Sequence, residues 1–320
     1  MGCLLTSADE HQRSTHGLLF GVAAYGLWGI LPLYFALLDS VSPFEIVAHR
    51  VIWSLVLLCI IITITRGWAK LRTALRDRKS IGLLAVASVA LSINWLVYVY
   101  SVSINEVVQA SLGYFINPLV SVALGVILLG ERLRKVQWLA VGLAVLAVLV
   151  LTFSYGAVPW ISLILAFSFG FYGLLKKYVG FGAVESLTIE TAVLSPVAII
   201  LLITLESSLV AAFVQDGLGI SLLLILLGPV TAIPLLAFGA AATRLPLSMM
   251  GLLQYITPIV IFTFGVTVFH DSMSTSRWIG FFIVWMALLL FSIDAMRSAK
   301  SAGNDRRSAL ARSLEVTEPD

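Results

Sequence analysis

Four ionisable residues, Glu45, His49, Arg50 and Glu190, stand within long apolar runs of this 320-residue chain. A charge at mid-bilayer costs ~2.5–3.5 kcal/mol on insertion scales, so one kept there is paired or functional. Two kinds of chemistry fit the set. A guanidinium in a wet cavity attracts anions, and a carboxyl or imidazole beside it carries protons. Glu45 and His49 are four residues apart and share one helix face, with Arg50 further round beside Trp53 and Ser54. For Arg50 two readings stay open: an anion-attracting group, or half of a structural Glu–Arg pair whose head snorkels toward the interface. Glu45 lies near a run's edge, which favours a structural role. Glu190 lies deeper and lacks an obvious local partner, which favours a functional one.

Uncharged polar residues add a second line. Asn94, Tyr98, Ser101 and Asn105 recur at helical spacing, as do Tyr114, Asn117 and Ser121. Tyr25, Trp28, Pro32 and Phe35 mark one face of the first run; Tyr172 with Ser168, and Gln254 with Thr257, are shorter versions later. One polar residue in a membrane helix glues it to a neighbour, whereas stripes on several helices need a common destination. A central cavity supplies it. Arg50, Asn94, Tyr98, Tyr114 and Asn117 would bind a small polar or amphipathic solute there, with His49 and Gln254 beside them. Trp28, Trp53, Tyr172 and Tyr255 would form an aromatic wall. Glu45, His49 and Glu190 are the candidate proton carriers.

Other chemistries are missing. The chain has no GxxxxGK[ST], HExxH or GxSxG motif and no TVGYG-like filter. His11, His16, His49 and His270 lie apart, and Cys3 and Cys59 fall in a tail and a span, so neither a metal site nor a disulfide framework is expected. No cofactor and no catalytic residue is predicted, and the basic residues mark topology rather than nucleic-acid binding.

The elements that position these residues are membrane helices. The chain is 60% apolar and 12% charged, with a net charge of +3 and mean hydropathy +1.02. Soluble domains carry about twice that charge. Ten apolar runs are legible: Gly17–Leu38, Phe44–Thr65, Ile81–Val102, Val107–Leu129, Val136–Ser154, Val158–Leu175, Val184–Leu205, Gly219–Ala242, Leu247–Phe269 and Ser276–Ala295. Each approaches the length that crosses ~30 Å of hydrocarbon. With the N-terminus in the cytoplasm, 18 of the 20 Lys and Arg fall in cytoplasmic segments; Arg277 falls outside and Arg50 within a span. That bias predicts both termini inside.

The chain also repeats itself. At an offset of 140 residues Pro118 meets Pro258, Gly125 meets Gly265, Glu131 meets Asp271 and Trp138 meets Trp278. At an offset of 144, Tyr25-Gly-Leu-Trp-Gly29 resembles Phe169-Gly-Phe-Tyr-Gly173. Five spans per copy is an odd number, so the copies run in opposite directions, as in transporters with a midplane site. The domain reading is a cytoplasmic tail over 1–16, five-helix units over 17–154 and 158–295, and a cytoplasmic tail over 296–320. The nearly all-apolar fifth and tenth spans read as peripheral, facing lipid or forming a homodimer.

Ala48-His-Arg-Val-Ile-Trp-Ser54 and Ala110-Ser-Leu-Gly-Tyr-Phe-Ile-Asn-Pro-Leu119, with Asn94-Trp95, Leu129-Gly-Glu-Arg-Leu133, Gln137-Trp-Leu-Ala140 and Ala241-Ala-Thr-Arg-Leu245, carry a resemblance. Over roughly residues 16–297 the chain resembles the RarD-type permeases of the EamA branch of the drug/metabolite transporter superfamily. The resemblance implies ten helices in two inverted five-helix bundles, a cytoplasmic-membrane location, and export or exchange of small organic solutes without ATP. The family name carries an association with chloramphenicol sensitivity and no firm substrate. The second copy departs from the pattern where Leu129-Gly-Glu-Arg132 is answered by Phe269-His-Asp-Ser272. A secondary transporter working by alternating access is the expectation. A non-transporting sensor or assembly partner is the alternative.

Overall fold

The computed structural model describes residues 7–129, 134–155, 157–179, 181–207, 211–242, 244–245 and 253–294. Among the described residues every regular element is helical. The first apolar run is divided. Helix α1 (Ser7–Gly29) gives way to α2 (Leu31–Ala36), with Pro32 in the first turn of α2. Proline is tolerated there because a first-turn N–H has no partner to lose. Helix α3 (Pro43–Ile64) follows, then α4 (Trp68–Ala74) and α5 (Arg78–Ser103). The segment between the second and third apolar runs carries Arg66, Lys70, Arg72, Arg76, Arg78 and Lys79, the basic content of a cytoplasmic loop. In α4, however, Leu71 and Ala74 are buried with Ile62, Leu84, Val179 and Ile189. Asp77 caps α5, accepting the Ser80 hydroxyl at 2.6 Å and the backbone N–H of Ser80 and Lys79, which together hold its carboxyl below the ordinary aspartate range.

Helices α6 (Val107–Leu129), α7 (Lys135–Tyr155), α8 (Trp160–Lys177), α9 (Ala183–Ser207), α10 (Leu218–Ala242), α11 (Ile256–Thr267) and α12 (Thr275–Asp294) follow among the described residues. Among the described residues eight stretches are long and apolar enough to cross a membrane, the first being Thr15–Ala36; Trp160–Lys176 and Ile256–Thr267 are shorter apolar helices. The start of the ninth expected run, 247–252, lies outside the described residues, as do Glu131 and the tail from 295.

Halves of the chain interleave rather than stand side by side. Helix α3 packs on both α9 and α10, α8 on α5 and α6, α1 on α10 and α11, and α11 on α6. Helices α7 and α12 share one apolar cluster in which Ala140, Ala144, Ala147 and Leu151 sit with Phe281, Val284, Ala287 and Leu288. Arg134 and Asp294 pair at 3.2 Å near its edge. These two helices are the most exposed of the eight long stretches, at 22% and 28% buried. Their outward residues, Leu139, Leu146, Phe153 and Phe282 among them, are apolar, as a lipid-facing surface requires. Polar groups turn inward: Glu45, His49, Arg50, Asn94, Asn117, Glu190 and Thr231 are all buried.

Candidate functional site

Close approach of two helices builds the centre. A Cβ on Gly228 of α10 would stand 2.5 Å from the Trp53 carbonyl oxygen of α3, so only glycine lets these backbones meet. Three residues on, the same face of α10 brings Thr231 to Arg50, whose Nε donates to the Thr231 hydroxyl at 2.9 Å. The guanidinium lies against the Trp95 ring of α5, 4.1 Å from its centroid, with the Phe35 ring of α2 at 6.0 Å. Arg50 makes no ion pair among the described residues. The structural reading of a Glu–Arg pair is therefore not what holds it. Glu45 is occupied elsewhere: its carboxylate accepts the backbone N–H of Ala212 and Phe213 at 2.9 and 3.0 Å. His49 Nδ1 accepts from the Trp53 indole at 3.1 Å, which leaves Nε2 to carry the proton, 3.9 Å from Glu45.

A polar cluster follows from α5, α6 and α8. Asn94 donates to the Leu165 carbonyl and the Ser168 hydroxyl, both at 3.0 Å, and accepts from Tyr114 at 3.2 Å. Gly113 allows it, because a Cβ there would come within 2.7 Å of the Ser162 carbonyl oxygen on α8. The Tyr98 hydroxyl and Asn117 Oδ1 are buried and have no hydrogen-bond partner among the described residues. The Tyr98 ring meets both Tyr114 and Phe35 edge to face.

Other expected members lie apart or serve differently. Asn105 is no part of the stripe: it follows α5 at φ 56°, and the Glu106 N–H returns to the Ser101 carbonyl, a left-handed helix stop that asparagine tolerates. Ser121 is exposed. Glu190 has a partner after all, since Lys176 of α8 reaches it at 2.6 Å and Tyr172 donates to it at 3.2 Å. Trp28 sits with Tyr25 and Phe238. Gln254 and Tyr255 precede α11 and are half-buried. Thr231, Gly228 and Lys176 escaped the sequence reading as site residues. The signal for Thr231 was available: it is a lone hydroxyl between Pro229 and Pro234 in an apolar run.

One end of the bundle is tied shut. Leu38, Val41, Ile46, Val102, Val107 and Ala212 meet there in a single apolar cluster with Phe269 against it. Three polar contacts join early and late elements at this end: Glu45 to 212–213, the Tyr34 hydroxyl to the Leu223 carbonyl, and Asp271 to the Val108 N–H at 2.6 Å. Burial pushes the Asp271 carboxyl up to about 6, with Glu106 raising it further and the Val108 N–H and Arg277 opposing. A carboxyl raised above its unfolded value contributes stability that is full below about pH 3.8 and is lost as pH rises through about 6. The thermal midpoint of the purified protein is accordingly expected to rise on acidification from pH 7.5 to 5. Asp271→Asn should flatten that dependence; an unchanged slope in the variant would remove Asp271 as its source.

Comparison with known proteins places these residues in context. The profile of the EamA-like transporter family matches residues 15–153. Protein RarD of Streptomyces exfoliatus is 50% identical over 92% of both chains. Protein RarD of Escherichia coli K12 is 44% identical over 90% of this chain and 97% of its own. The uncharacterized transporter YojE of Bacillus subtilis 168 is 40% identical over 90% and 97%. One solved structure, 20% identical, superposes with a TM-score of 0.56 over 89% of this chain and 98% of its own, which shows a shared fold.

Proposed function

Because the chain belongs to the RarD-type permeases of the EamA-like transporter family, we propose that it is a secondary transporter moving small organic solutes by alternating access. It is a multi-pass membrane protein, and transport in general follows from the family. The finer reading is ours: ten spans in two inverted five-helix units, with the site between them. The bias of Lys and Arg supports cytoplasmic termini, and that orientation suits a cell membrane. The observation that supports the mechanism concerns the bundle's ends. Contacts from Glu45, Tyr34 and Asp271 close one of them beyond a buried polar centre, as one extreme of a two-state cycle would require.

In this reading Arg50, Asn94, Tyr98, Tyr114 and Asn117 face the solute, His49 and Gln254 flank it, and Trp28, Trp53, Tyr172 and Tyr255 form the apolar wall. Proton coupling falls to Glu190, His49 or Glu45. Of these Glu190 is favoured, because its partner is a partly exposed lysine side chain rather than backbone. The exposed faces of α7 and α12 would meet in a homodimer. The test is side-specific labelling of Ser168→Cys in a Cys3→Ser/Cys59→Ser background, in proteoliposomes of fixed orientation. A membrane-impermeant maleimide is expected to reach it from either side, more slowly when solute is bound. Labelling confined to one side in every condition would end the alternating-access reading.

A further inference from the structure

We propose that the solute carries a carboxylate, and that this group docks on the free edge of the Arg50 guanidinium with the Tyr98 hydroxyl as a second donor. The inference rests on the transport reading above and adds the substrate class to it. Arg50 is 4% exposed, so its charge has lost nearly all its water. What replaces that water is meagre: one neutral hydroxyl at Nε and the Trp95 and Phe35 rings. A hydrogen bond and ring faces fall short of the hydration that a buried guanidinium gives up. Among the described residues helix α2 presents Phe35 to it, α5 presents Trp95 and α10 presents Thr231, while Tyr98 of α5 and Tyr114 of α6 stand close enough to feel its charge; none of these is an acid, and Glu190 of α9, which also packs on α3, is held by Lys176. The acid one turn away, Glu45, is spent on Ala212 and Phe213.

The leftover valence has a shape. Nε is taken, and the two terminal amino groups make no hydrogen bond among the described residues. They form a planar fork whose natural partner is a carboxylate received edge-on. The Tyr98 hydroxyl belongs to a residue only 3% exposed and has no partner among the described residues, so it is a donor in want of an acceptor. Tyr114 differs, since its hydroxyl is committed to Asn94. Tyr98 and Tyr114 both stand near enough to feel the guanidinium's charge. A single cation matches a monoanion; a phosphate dianion would need a second positive group, and an amine would be repelled.

The experiment uses full-length protein in nanodiscs for binding and in proteoliposomes for flux. Probes are matched sets sharing one body: indole-3-acetate, indole-3-acetamide and tryptamine, then benzoate, benzamide and benzylamine, then butyrate, butyramide and butylamine. Acids are expected to bind at least about tenfold tighter than their amides in one or more sets, with amines weakest. Arg50→Gln should lose about 100-fold for the acid and leave the amide unchanged, the loss typical of truncating one side of a desolvated charge pair. Arg50→Lys should keep part of the preference. Tyr98→Phe removes a hydroxyl that bonds nothing among the described residues, so the fold should stand while acid binding falls about tenfold. Equal or tighter binding of amides or amines overturns the proposal, as does an acid preference that survives Arg50→Gln, or the absence of binding by every acid. Saturable flux of amides or amines without acids would sink the carboxylate and spare the transporter. Acid binding without flux would do the reverse.

Discussion

Lys176→Met is expected to destabilise the protein by about 3–5 kcal/mol, the loss seen when one partner of a buried ion pair is removed. The reason is a difference in burial between the partners. Side-chain exposure is 1% for Glu190 and 26% for Lys176. Without the lysine, the carboxylate is stranded with one phenol for company; without the carboxylate, the lysine has four methylenes with which to reach the interface. Glu190→Gln should therefore cost clearly less, about 1–2 kcal/mol by the same reasoning about unsatisfied groups. Replacing both, as Lys176→Met with Glu190→Leu, should recover most of the loss, because apolar packing can substitute for a buried pair. Reversible unfolding in mixed micelles with increasing SDS measures all three. Equal costs for the two single variants would show that burial does not decide the matter, and proton-driven flux in Glu190→Gln would excuse that residue from coupling.

Gly228→Ala is expected to cost about 2 kcal/mol or more, in the range for overpacking a tight contact, and Gly228→Leu to prevent folding. The obstacle is backbone, the Trp53 carbonyl oxygen at 2.5 Å, with the carbonyl carbon at 2.8 Å, and backbone cannot swing aside as a side-chain tip does. Helix α10 would have to retreat from α3, and Thr231 would leave Arg50. Gly142→Ala is the control. Nothing lies within 4 Å of its Cβ position, so it should be neutral or gain up to ~1 kcal/mol from helix propensity. Yield, elution profile and unfolding midpoint read both. A Gly228→Ala variant as sturdy as the control would mean that the helices do not meet this closely.

Most helix positions were legible because an apolar run of membrane length has few alternative fates. Helix α6 matches its expected run, Val107–Leu129, at both ends. Departures have local causes. Asp77 starts α5 three residues before the apolar run does, Asn105 ends it, and Pro32 splits the first run. The site was half legible. Intrusive residue types flagged Arg50, Asn94 and Tyr114 at once. Their partners were not flagged, because periodicity within a uniformly apolar helix says little about which neighbour it meets. In sequence Lys176 marks topology, and only the reach of its side chain from α8 to α9 makes it the counterion of Glu190. Glu45 looked like an edge residue, yet it is 1% exposed and holds a segment 167 residues away. Which span touches which is information carried by both halves together.

That long reach has a consequence for how the protein is made. Arg50 and Thr231 are separated by 181 residues. At about 5–20 residues per second, a ribosome takes roughly 10–40 s to deliver the threonine after the arginine has entered the translocon. Throughout that wait α3 holds a guanidinium with no hydroxyl to meet, so the insertion machinery must shelter it or leave it at the lipid headgroups. Ribosome pausing and membrane chaperones should bear on the yield of this protein chiefly before α10 emerges. A gene cut between Tyr155 and Trp160 should give product only when both fragments are synthesised in the same cell.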